Sequence, residues 1–276
     1  MEGIFACTRK DRLTARTGTP YLAVGLRDRT GEVEARAFRD PDFLAARFER
    51  GDLVTVAGRV ERFRDALQVE LESIARAPEG AADPSDFLPV AYRDLDELDG
   101  FLEHLAREVT DPYLGRVVGG ALADPELRAG LRRAPCSRSG HHAYLGGLLE
   151  HTVGVATLAH DLCALHLRLD QSLLVAAALL HDVGKVREYR LGADIALSDE
   201  GRLLGHLPLG LLMVNERIER AGGVPPARAL ALLHCIQGHH GPEGLPGRRF
   251  GSAEALALFR LNALDAGVKG AFEHGL

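Results

Sequence analysis

Histidines with the spacing of metal ligands are concentrated in one part of this 276-residue chain. Ten of the twelve lie between positions 141 and 240. Seven of these ten fall in five short motifs: His141-His142, Glu150-His151, His181-Asp182, Gly205-His206 and His239-His240. Imidazoles combined with a carboxylate are the donors from which proteins build metal centres. A single histidine is more often an ordinary core residue, but five motifs together favour a shared cation.

The chemistry expected of such a centre is metal-assisted attack on a phosphate ester. Imidazole and carboxylate donors without thiolate suit Mn²⁺ first, with Mg²⁺, Co²⁺, Fe²⁺ or Zn²⁺ as alternatives. Two such ions can polarise a phosphoryl oxygen and convert water into a nucleophile. We therefore expect divalent metal ions, two of them, as cofactors.

Lysine usage singles out one more residue. Only three of the 33 basic residues are lysines: Lys10, Lys185 and Lys269. Lys185 follows Asp182 by three residues, where a compact ammonium can neutralise charge on a phosphoryl group or a leaving oxygen. Chance placement is the alternative interpretation. The functional interpretation makes Asp182 and Lys185 the catalytic residues.

Helices must position these side chains. Beyond about residue 94 the leucines keep helical spacing, and the pairs Asp111-Pro112 and Asp124-Pro125 are typical of helix starts. An apolar run over 173–180, which must be buried nearly all round, ends directly at His181. No alternating strand pattern recurs. The sequence predicts an all-α bundle over 94–276.

The first 77 residues predict a small β-barrel. Alternating or apolar runs lie at about 3–15, 21–27, 32–38, 53–62 and 66–75, with a short helix at about 41–48. Five strands with a helix after the third match the order of an OB-fold, whose surface commonly binds single-stranded nucleic acid. The candidate contacts lie near two loops: Arg9, Lys10, Arg62, Phe63 and Arg64. The alternative is that the arginines are only solvated and that Tyr21, Phe38 and Phe63 fill the barrel.

The predicted architecture is multidomain α+β. A five-stranded OB-fold barrel over 1–77 is followed by a linker over 78–93, which is rich in Pro, Gly and small residues, and then by the helical domain over 94–276. The barrel segment carries 14 Lys and Arg against 13 Asp and Glu, whereas the remainder carries 19 against 26. An acidic catalytic part is tolerable if bound divalent cations offset its charge.

Composition limits the remaining functional classes. A net charge of −6 argues against a protein that holds duplex nucleic acid by bulk electrostatics alone. No apolar run approaches the roughly 20 residues that cross a bilayer, so we expect a cytoplasmic protein without a membrane partner, and leave homo-oligomerisation open. The four cysteines form no CxxC pair, and most are predicted to be small buried residues.

Taken in order, the histidine motifs resemble those of the HD-domain metal-dependent phosphohydrolases. Four segments are similar in particular to the YhaM-type 3′-5′ exoribonucleases: HHAYLGGLLEHT at 141–152, LHDVGK at 180–185, EGRLLGH at 200–206 and GHHG at 238–241. That family joins an N-terminal OB-fold to a C-terminal HD domain. The resemblance therefore covers nearly the whole chain.

The resemblance implies a role for each matching position. The metal ligands would be His151, His181, Asp182, His206, His239 and His240. Among them, Asp182 is best suited to bridge two ions. His141 and His142 would orient ligands or meet the phosphate of the substrate.

One position departs from the family pattern. The family has a ligand aspartate where this chain has Asn262, and Asp265 follows three residues later. An amide oxygen can coordinate a metal but brings no negative charge, so at least one metal site should be weakened or altered. Asp265 could substitute only if its helix is turned, and otherwise supports a ligand or caps a helix. Both residues remain candidate ligands.

The expected function is metal-dependent 3′-5′ hydrolysis of single-stranded RNA, and possible hydrolysis of single-stranded DNA, to nucleoside monophosphates. Two alternatives stay open. A phosphohydrolase of small nucleotides would use the same centre without needing the barrel. A catalytically weakened single-strand-binding protein would use the barrel alone, and Asn262 is the best argument for it.

Overall fold

The computed structural model describes residues 1–63 and 66–275, and the chain divides into two compact units. The first unit consists of Met1–Pro89 and Leu191–Ala196, and the second of Val90–Arg190 and Leu197–Leu276. The domain boundaries inferred from composition stay a prediction, because no independent observation tests them.

The first unit contains a closed five-stranded barrel. Its strands are β1 (Glu2–Thr14), β2 (Pro20–Asp28), β3 (Gly31–Ala37), β4 (Leu53–Phe63) and β5 (Ala66–Arg76), with helix α1 (Pro41–Ala45) between β3 and β4. Around the barrel the order is β1-β2-β3-β5-β4; β3 and β5 pair in parallel, and the other neighbours pair antiparallel. The predicted strand order, with a helix after the third strand, is confirmed.

Alternation along the strands fills the barrel. In β2, Leu22, Val24 and Leu26 point inward and are almost fully buried, and they pack with residues such as Val56 and Ile74 from β4 and β5. Successive strand residues face opposite sides, so the intervening positions form the outer surface.

The segment over 78–93 contains ordered structure. It includes a 3₁₀ turn over Pro84–Asp86, and Phe87 is buried against Ala6 and Ala193 in the first unit. Apolar Phe87 follows the Pro- and Gly-rich stretch directly, and its burial explains why ordered structure begins inside the segment predicted as a linker.

Helices make up most of the second unit. They are α2 (Leu95–Arg107), α3 (Pro112–Leu122), α4 (Pro125–Arg133), α5 (Gly147–Leu165), α6 (Gln171–Leu180), α7 (Lys185–Glu188), α8 (Asp199–Leu203), α9 (His206–Ala221), α10 (Pro226–Gly238) and α11 (Ala253–His274). Asp111 and Asp124 accept backbone N–H bonds at the starts of α3 and α4, as the Asp-Pro pairs predict. Across the helices of 1–63 and 66–275, none combines the length and apolar character needed to cross a membrane.

A short hairpin corrects the prediction that only helices follow residue 94. Strands β6 (Tyr189–Leu191) and β7 (Ile195–Leu197) form a two-stranded sheet. Each strand has three residues, which is too short for the alternation from which strands are recognised. The all-α prediction was wrong for these residues.

Packing of the helical core places the histidine-bearing segments close together. Every residue of α6 from Ser172 to Leu180 is buried, as the unbroken apolar run predicts. Gly184, just after α6, lies so close to the backbone of α9 that a Cβ there would collide with the carbonyl of His206 and the amide of Gly210. A glycine is therefore required where the segment after α6 meets the start of α9.

Candidate metal centre

Four helices deliver the histidines of the predicted centre to one place. His151 lies in the first turns of α5, His181 and Asp182 follow α6, His206 begins α9, and His239 and His240 follow α10. The side chains of His151, His181, Asp182 and His239 are almost fully buried. The structure therefore brings together all six residues that the resemblance implies as metal ligands.

The carboxylate of Asp182 divides these imidazoles into two sets. Its Oδ2 atom lies 3.6 Å from Nε2 of His151 and 3.4 Å from Nε2 of His181. Its Oδ1 atom lies 3.6 Å from Nε2 of His206 and 3.4 Å from Nε2 of His239. We call Asp182 Oδ2 with His151 and His181 the inner set, and Asp182 Oδ1 with His206, His239 and His240 the outer set. The donor atoms of each set lie within 4.8 Å of one another, which is compatible with one cation in each set.

Outward hydrogen bonds orient four of the imidazoles. In the inner set, Nδ1 of His151 lies 2.6 Å from Asp265 Oδ2, and Nδ1 of His181 lies 2.8 Å from the Ala178 carbonyl. In the outer set, Nδ1 of His206 lies 3.1 Å from Glu188 Oε1, and Nδ1 of His239 lies 2.6 Å from the Ile236 carbonyl. A carbonyl oxygen can only accept, so Nδ1 of His181 and of His239 carries the proton. The Nε2 atoms that face Asp182 then present lone pairs, which is the form that binds metal.

Two buried atoms in the outer set have no hydrogen-bond partner. They are Asp182 Oδ1 and His239 Nε2. A buried polar atom without a partner costs about 1–3 kcal/mol, and both atoms are electron-pair donors directed at the same space. The residues therefore fit a divalent cation.

An ammonium balances the inner side of the carboxylate. Nζ of Lys185 lies 2.7 Å from Asp182 Oδ2, and both side chains are buried. Burial alone would raise the pKa of Asp182, but the Lys185 charge and the neighbouring His181 hold that pKa well below its usual range. Burial opposes the charge on Lys185 in turn, yet Asp182 raises the pKa of Lys185 above its usual value. The pair is ionised at neutral pH.

Two of the outer imidazoles, those of His239 and His240, are held neutral. Desolvation by the surrounding protein, together with the neighbouring His239, lowers the pKa of His240 to about 3. Burial likewise lowers the pKa of His239, and the Asp182 carboxylate only partly opposes that effect. Neutral imidazole is the state in which histidine coordinates metal.

Asn262 and Asp265 occupy different surroundings on α11. Asn262 is buried, and its Nδ2 donates to the carbonyl of His239 at 3.2 Å. Asp265 Oδ2 lies 2.6 Å from Nδ1 of His151 and 3.1 Å from Nε2 of His142. Burial opposes ionisation of Asp265, but the two histidines lower its pKa below the usual range. Asp265 therefore contacts the side of His151 that faces away from Asp182; ligand roles for both residues stay predictions.

The two histidines that begin the long motif have separate partners. His142 is buried, with Nδ1 2.9 Å from the hydroxyl of Tyr144, which donates to Glu150 at 2.7 Å. His141 is partly exposed, and its Nε2 lies 3.4 Å from the sulfur of Cys136. Contact of His142 with Asp265 fits the predicted task of orienting a ligand, while contact with substrate stays a prediction.

Several residues around the centre escaped the sequence prediction. Cys136 lies 3.3 Å from Lys185 Nζ, and Glu188 supports His206. Tyr144, Glu150 and the third lysine, Lys269, form a hydrogen-bonded chain that reaches His142. Cys136 has no second cysteine nearby in the sequence, so no motif indicates its role. The rarity of lysine in this chain is the signal from which Lys269 could have been predicted.

An aromatic platform lies on the outer surface of the barrel. The rings of Tyr21 and Phe38 stack at 5.3 Å, and the guanidinium of Arg36 lies 5.7 Å from the centre of Tyr21 and 5.5 Å from that of Phe63. Phe38 and Phe63 are 43% and 45% exposed. The alternative that these two rings fill the barrel is wrong, because they occupy positions that face away from the core. We call Tyr21, Arg36, Phe38 and Phe63 the aromatic platform.

The predicted basic contacts of the barrel differ in their availability. Arg9 forms an exposed ion pair with Asp11 at 2.6 Å. Nζ of Lys10 donates to the Phe48 carbonyl at 2.6 Å and to Glu49, so Lys10 also stabilises the barrel. Arg62 is exposed near the end of β4. The predicted contact at Arg64 lies outside the described residues.

Known proteins match both parts of the chain. Residues 148–267 match the family model of the HD domain, and residues 7–76 match that of an OB-fold nucleic acid binding domain. A 3′-5′ exoribonuclease YhaM from Halalkalibacterium halodurans is 30% identical over 245 residues, which cover 87% of this chain and 74% of the relative. The YhaM protein of Shouchella clausii is 30% identical over 250 residues, which cover 87% of this chain and 75% of the relative. That of Bacillus subtilis is 28% identical over 228 residues, which cover 82% of this chain and 72% of the relative.

These matches confirm the resemblance seen in the histidine motifs and the predicted combination of folds. They extend over most of this chain and over more than two thirds of each relative. The roles of individual residues stay predictions. With an N-terminal OB-fold and a C-terminal HD domain, the chain belongs to the YhaM family of 3′-5′ exoribonucleases.

Proposed function

We propose that this protein hydrolyses single-stranded RNA from its 3′ end in a reaction that depends on divalent metal ions. The observation that carries the proposal is the division of the Asp182 carboxylate between two sets of imidazoles, with Asp182 Oδ1 and His239 Nε2 buried and unpartnered. Family membership supports the direction of hydrolysis, because the relatives are named 3′-5′ exoribonucleases.

The chain supplies ligands and a fixed positive charge. Divalent ions, Mn²⁺ in the first place, supply Lewis acidity at a phosphoryl oxygen when bound. The inner and outer sets offer neutral imidazoles and one shared carboxylate to hold two ions. Lys185, fixed by its ion pair with Asp182, adds a buried ammonium that can stabilise negative charge as the phosphodiester reacts.

The aromatic platform supports a single-stranded substrate. Exposed Phe38 and Phe63 offer ring faces to unpaired bases, and Arg36, which contacts the rings of Tyr21 and Phe63, carries a charge that attracts phosphate. Stacking on aromatic side chains tolerates any base and does not depend on the 2′-hydroxyl. We therefore expect single-stranded DNA to bind as well, with RNA as the substrate.

Labelled RNA tests the reaction directly. A single-stranded RNA carrying a 5′ label should give a ladder that shortens from the 3′ end in the presence of Mn²⁺, and chelation of the metal should stop it. His181→Ala should remove the activity, whereas the control His160→Ala, which changes a histidine on α5 outside both sets, should retain it. Undiminished hydrolysis by His181→Ala would contradict the metal-centre mechanism.

Barrel variants separate an RNA exonuclease from a phosphohydrolase of small nucleotides. Each stacked base contributes about 1–3 kcal/mol, so Phe38→Ala and Phe63→Ala should raise KM for RNA by about tenfold or more with little change in kcat. Phe43→Ala is the control, because Phe43 is an exposed aromatic outside the platform. Unchanged KM for RNA in both platform variants would favour the small-nucleotide alternative.

A further inference from the structure

A thiol lies next to the inner set. The sulfur of Cys136 is 3.4 Å from Nε2 of His141, and the cysteine is buried. One donor atom from each of Cys136, His141 and His151 lies within 4.8 Å of the other two. These residues form a third group with metal-binding spacing, and the mechanism proposed above does not use Cys136.

We propose that Cys136, His141 and His151 form a separate site that takes Zn²⁺ and, when filled, inhibits the enzyme. Thiolate is a soft donor that favours Zn²⁺ over Mn²⁺ or Mg²⁺, whereas the inner and outer sets contain only nitrogen and oxygen donors. Imidazole and thiolate are both donors that zinc takes in tetrahedral sites, and a site with three protein ligands leaves the fourth position open to water. The thiolate therefore gives this site a stronger preference for Zn²⁺ than the inner and outer sets have.

The loop that carries Cys136 and His141 is already folded for this role. The backbone amide of Cys136 donates to the His142 carbonyl at 3.0 Å, and the hydroxyl of Ser137 donates to the His141 carbonyl at 2.8 Å while accepting from the amide of Gly140 at 2.9 Å. These bonds fix the backbone on both sides of the two donors. Little ordering of the chain is then needed for Cys136 and His141 to bind one ion.

The sulfur of Cys136 accepts a hydrogen bond from Nζ of Lys185 at 3.3 Å. An ammonium in this position already provides the sulfur with a positively charged neighbour. Zinc replaces that contact, and Lys185 keeps its closer ion pair with Asp182 at 2.7 Å. The exchange leaves no buried charge without a partner.

Inhibition follows because His151 belongs both to this group and to the inner set. Its Nδ1 is engaged by Asp265 at 2.6 Å, so only Nε2 remains to bind a metal. Zinc bound with Cys136 and His141 therefore withdraws His151 from the inner set. This step rests on the proposed metal-dependent function, whereas zinc binding itself does not.

Cobalt spectroscopy tests the thiolate ligand without reference to activity. Co²⁺ in place of zinc should give a sulfur-to-cobalt charge-transfer band in the wild-type protein. The same band is expected in the control Cys163→Ser, because Cys163 is buried on α5 and lies outside the proposed site. Cys136→Ser should bind cobalt without that band. Cobalt binding by the wild type with no charge-transfer band would overturn the proposal.

Alkylation of the wild-type protein gives a second measurement that needs no variant. Zn²⁺ should slow the modification of Cys136 by at least tenfold, as read from its peptide by mass spectrometry, and Mn²⁺ should not. Equal rates with and without zinc would also overturn the site.

The inhibitory step has its own measurement. The zinc concentration that halves Mn²⁺-supported RNA hydrolysis should rise at least tenfold in Cys136→Ser, relative to that variant's activity without zinc. An unchanged inhibitory concentration would contradict inhibition through this site. If no form of the protein hydrolyses RNA, the proposed function fails, while the cobalt spectrum still decides whether the thiolate site exists.

Discussion

The inner and outer sets share the carboxylate of Asp182 but differ in how its charge is compensated. In the inner set Oδ2 has an ammonium partner, since Lys185 lies 2.7 Å away. In the outer set Oδ1 has no partner, and neither does Nε2 of His239. The outer set also reaches the surface, because His206 is partly exposed and His240 is exposed, whereas His151 and His181 are fully buried.

This difference indicates which set depends more on a cation. Lys185 stabilises the inner oxygen in the absence of metal. The outer set has the larger unmet electrostatic requirement and is the more accessible to a phosphate. We infer that the outer set binds its ion more tightly, and four experiments with variants of the centre test this comparison.

The largest effect is expected from the residue that the two sets share. Asp182→Asn keeps the shape of the side chain but removes its charge, so Mn²⁺ should be lost from both sets and RNA hydrolysis should fall by at least about 10³-fold. Single-turnover hydrolysis of labelled RNA measures this effect. Asp199→Asn is the matched control, because that carboxylate is exposed and pairs with Arg202 at the surface; an equal loss in both variants would show that the effect is not specific to the centre.

The second effect compares one histidine from each set. His239→Ala removes an unpartnered donor from the outer set and should raise the Kd for the tighter Mn²⁺ by about 100-fold or more. His181→Ala should leave that tighter ion in place and weaken only the second. Calorimetric titration with Mn²⁺ distinguishes the two classes of site, and a larger loss of the tighter ion in His181→Ala would reverse the inferred order.

The third effect concerns the carboxylates that hold the outward sides of the histidines. Glu188→Gln should weaken the outer set and Asp265→Asn the inner set, each by about 10–100-fold in metal affinity. Electron paramagnetic resonance of bound Mn²⁺ reports both environments. If Asp265→Asn abolished Mn²⁺ binding to the inner set altogether, Asp265 would itself be a metal ligand, which is one of the two roles that the sequence analysis allowed for it.

The smallest effect is expected at Asn262. Asn262→Asp restores the carboxylate of the family pattern, and one added negative charge near a cation should tighten Mn²⁺ binding by about tenfold, equivalent to about 1.4 kcal/mol. Without metal, the same change loses the hydrogen bond to the His239 carbonyl and should lower the melting temperature. Thermal melts with and without Mn²⁺ measure both effects; a lower melting temperature under both conditions would exclude a ligand role at this position.

The sequence predicted those features of the fold and centre that depend on local patterns. Strand alternation and the pattern of one short helix were sufficient to predict five strands with a helix after the third. The apolar run before His181 was sufficient to predict that the His-Asp pair is buried. The three-residue strands β6 and β7 were too short to show a period. Neither strand alone carries a pattern from which their pairing could be predicted.

Contacts between distant segments outside the recognised histidine motifs were beyond prediction. Cys136 meets Lys185 across 49 positions of the chain, and nothing near either residue signals the encounter. The relation of Asp265 to His151 depends on the rotation of α11 about its axis, which helical spacing alone does not determine. Sequence reasoning did not single out Arg36, because the two rings that it contacts, Tyr21 and Phe63, come from other strands.

The most direct test of the two-set centre is an anomalous difference map from crystals grown with Mn²⁺. We expect a strong peak about 2 Å from Asp182 Oδ1 and from the Nε2 atoms of His206 and His239. A weaker peak is expected between Asp182 Oδ2, His151 and His181. A map with its strongest peak in the inner set, or with no peak next to Asp182, would contradict the inference that this carboxylate joins two metal sites of unequal affinity.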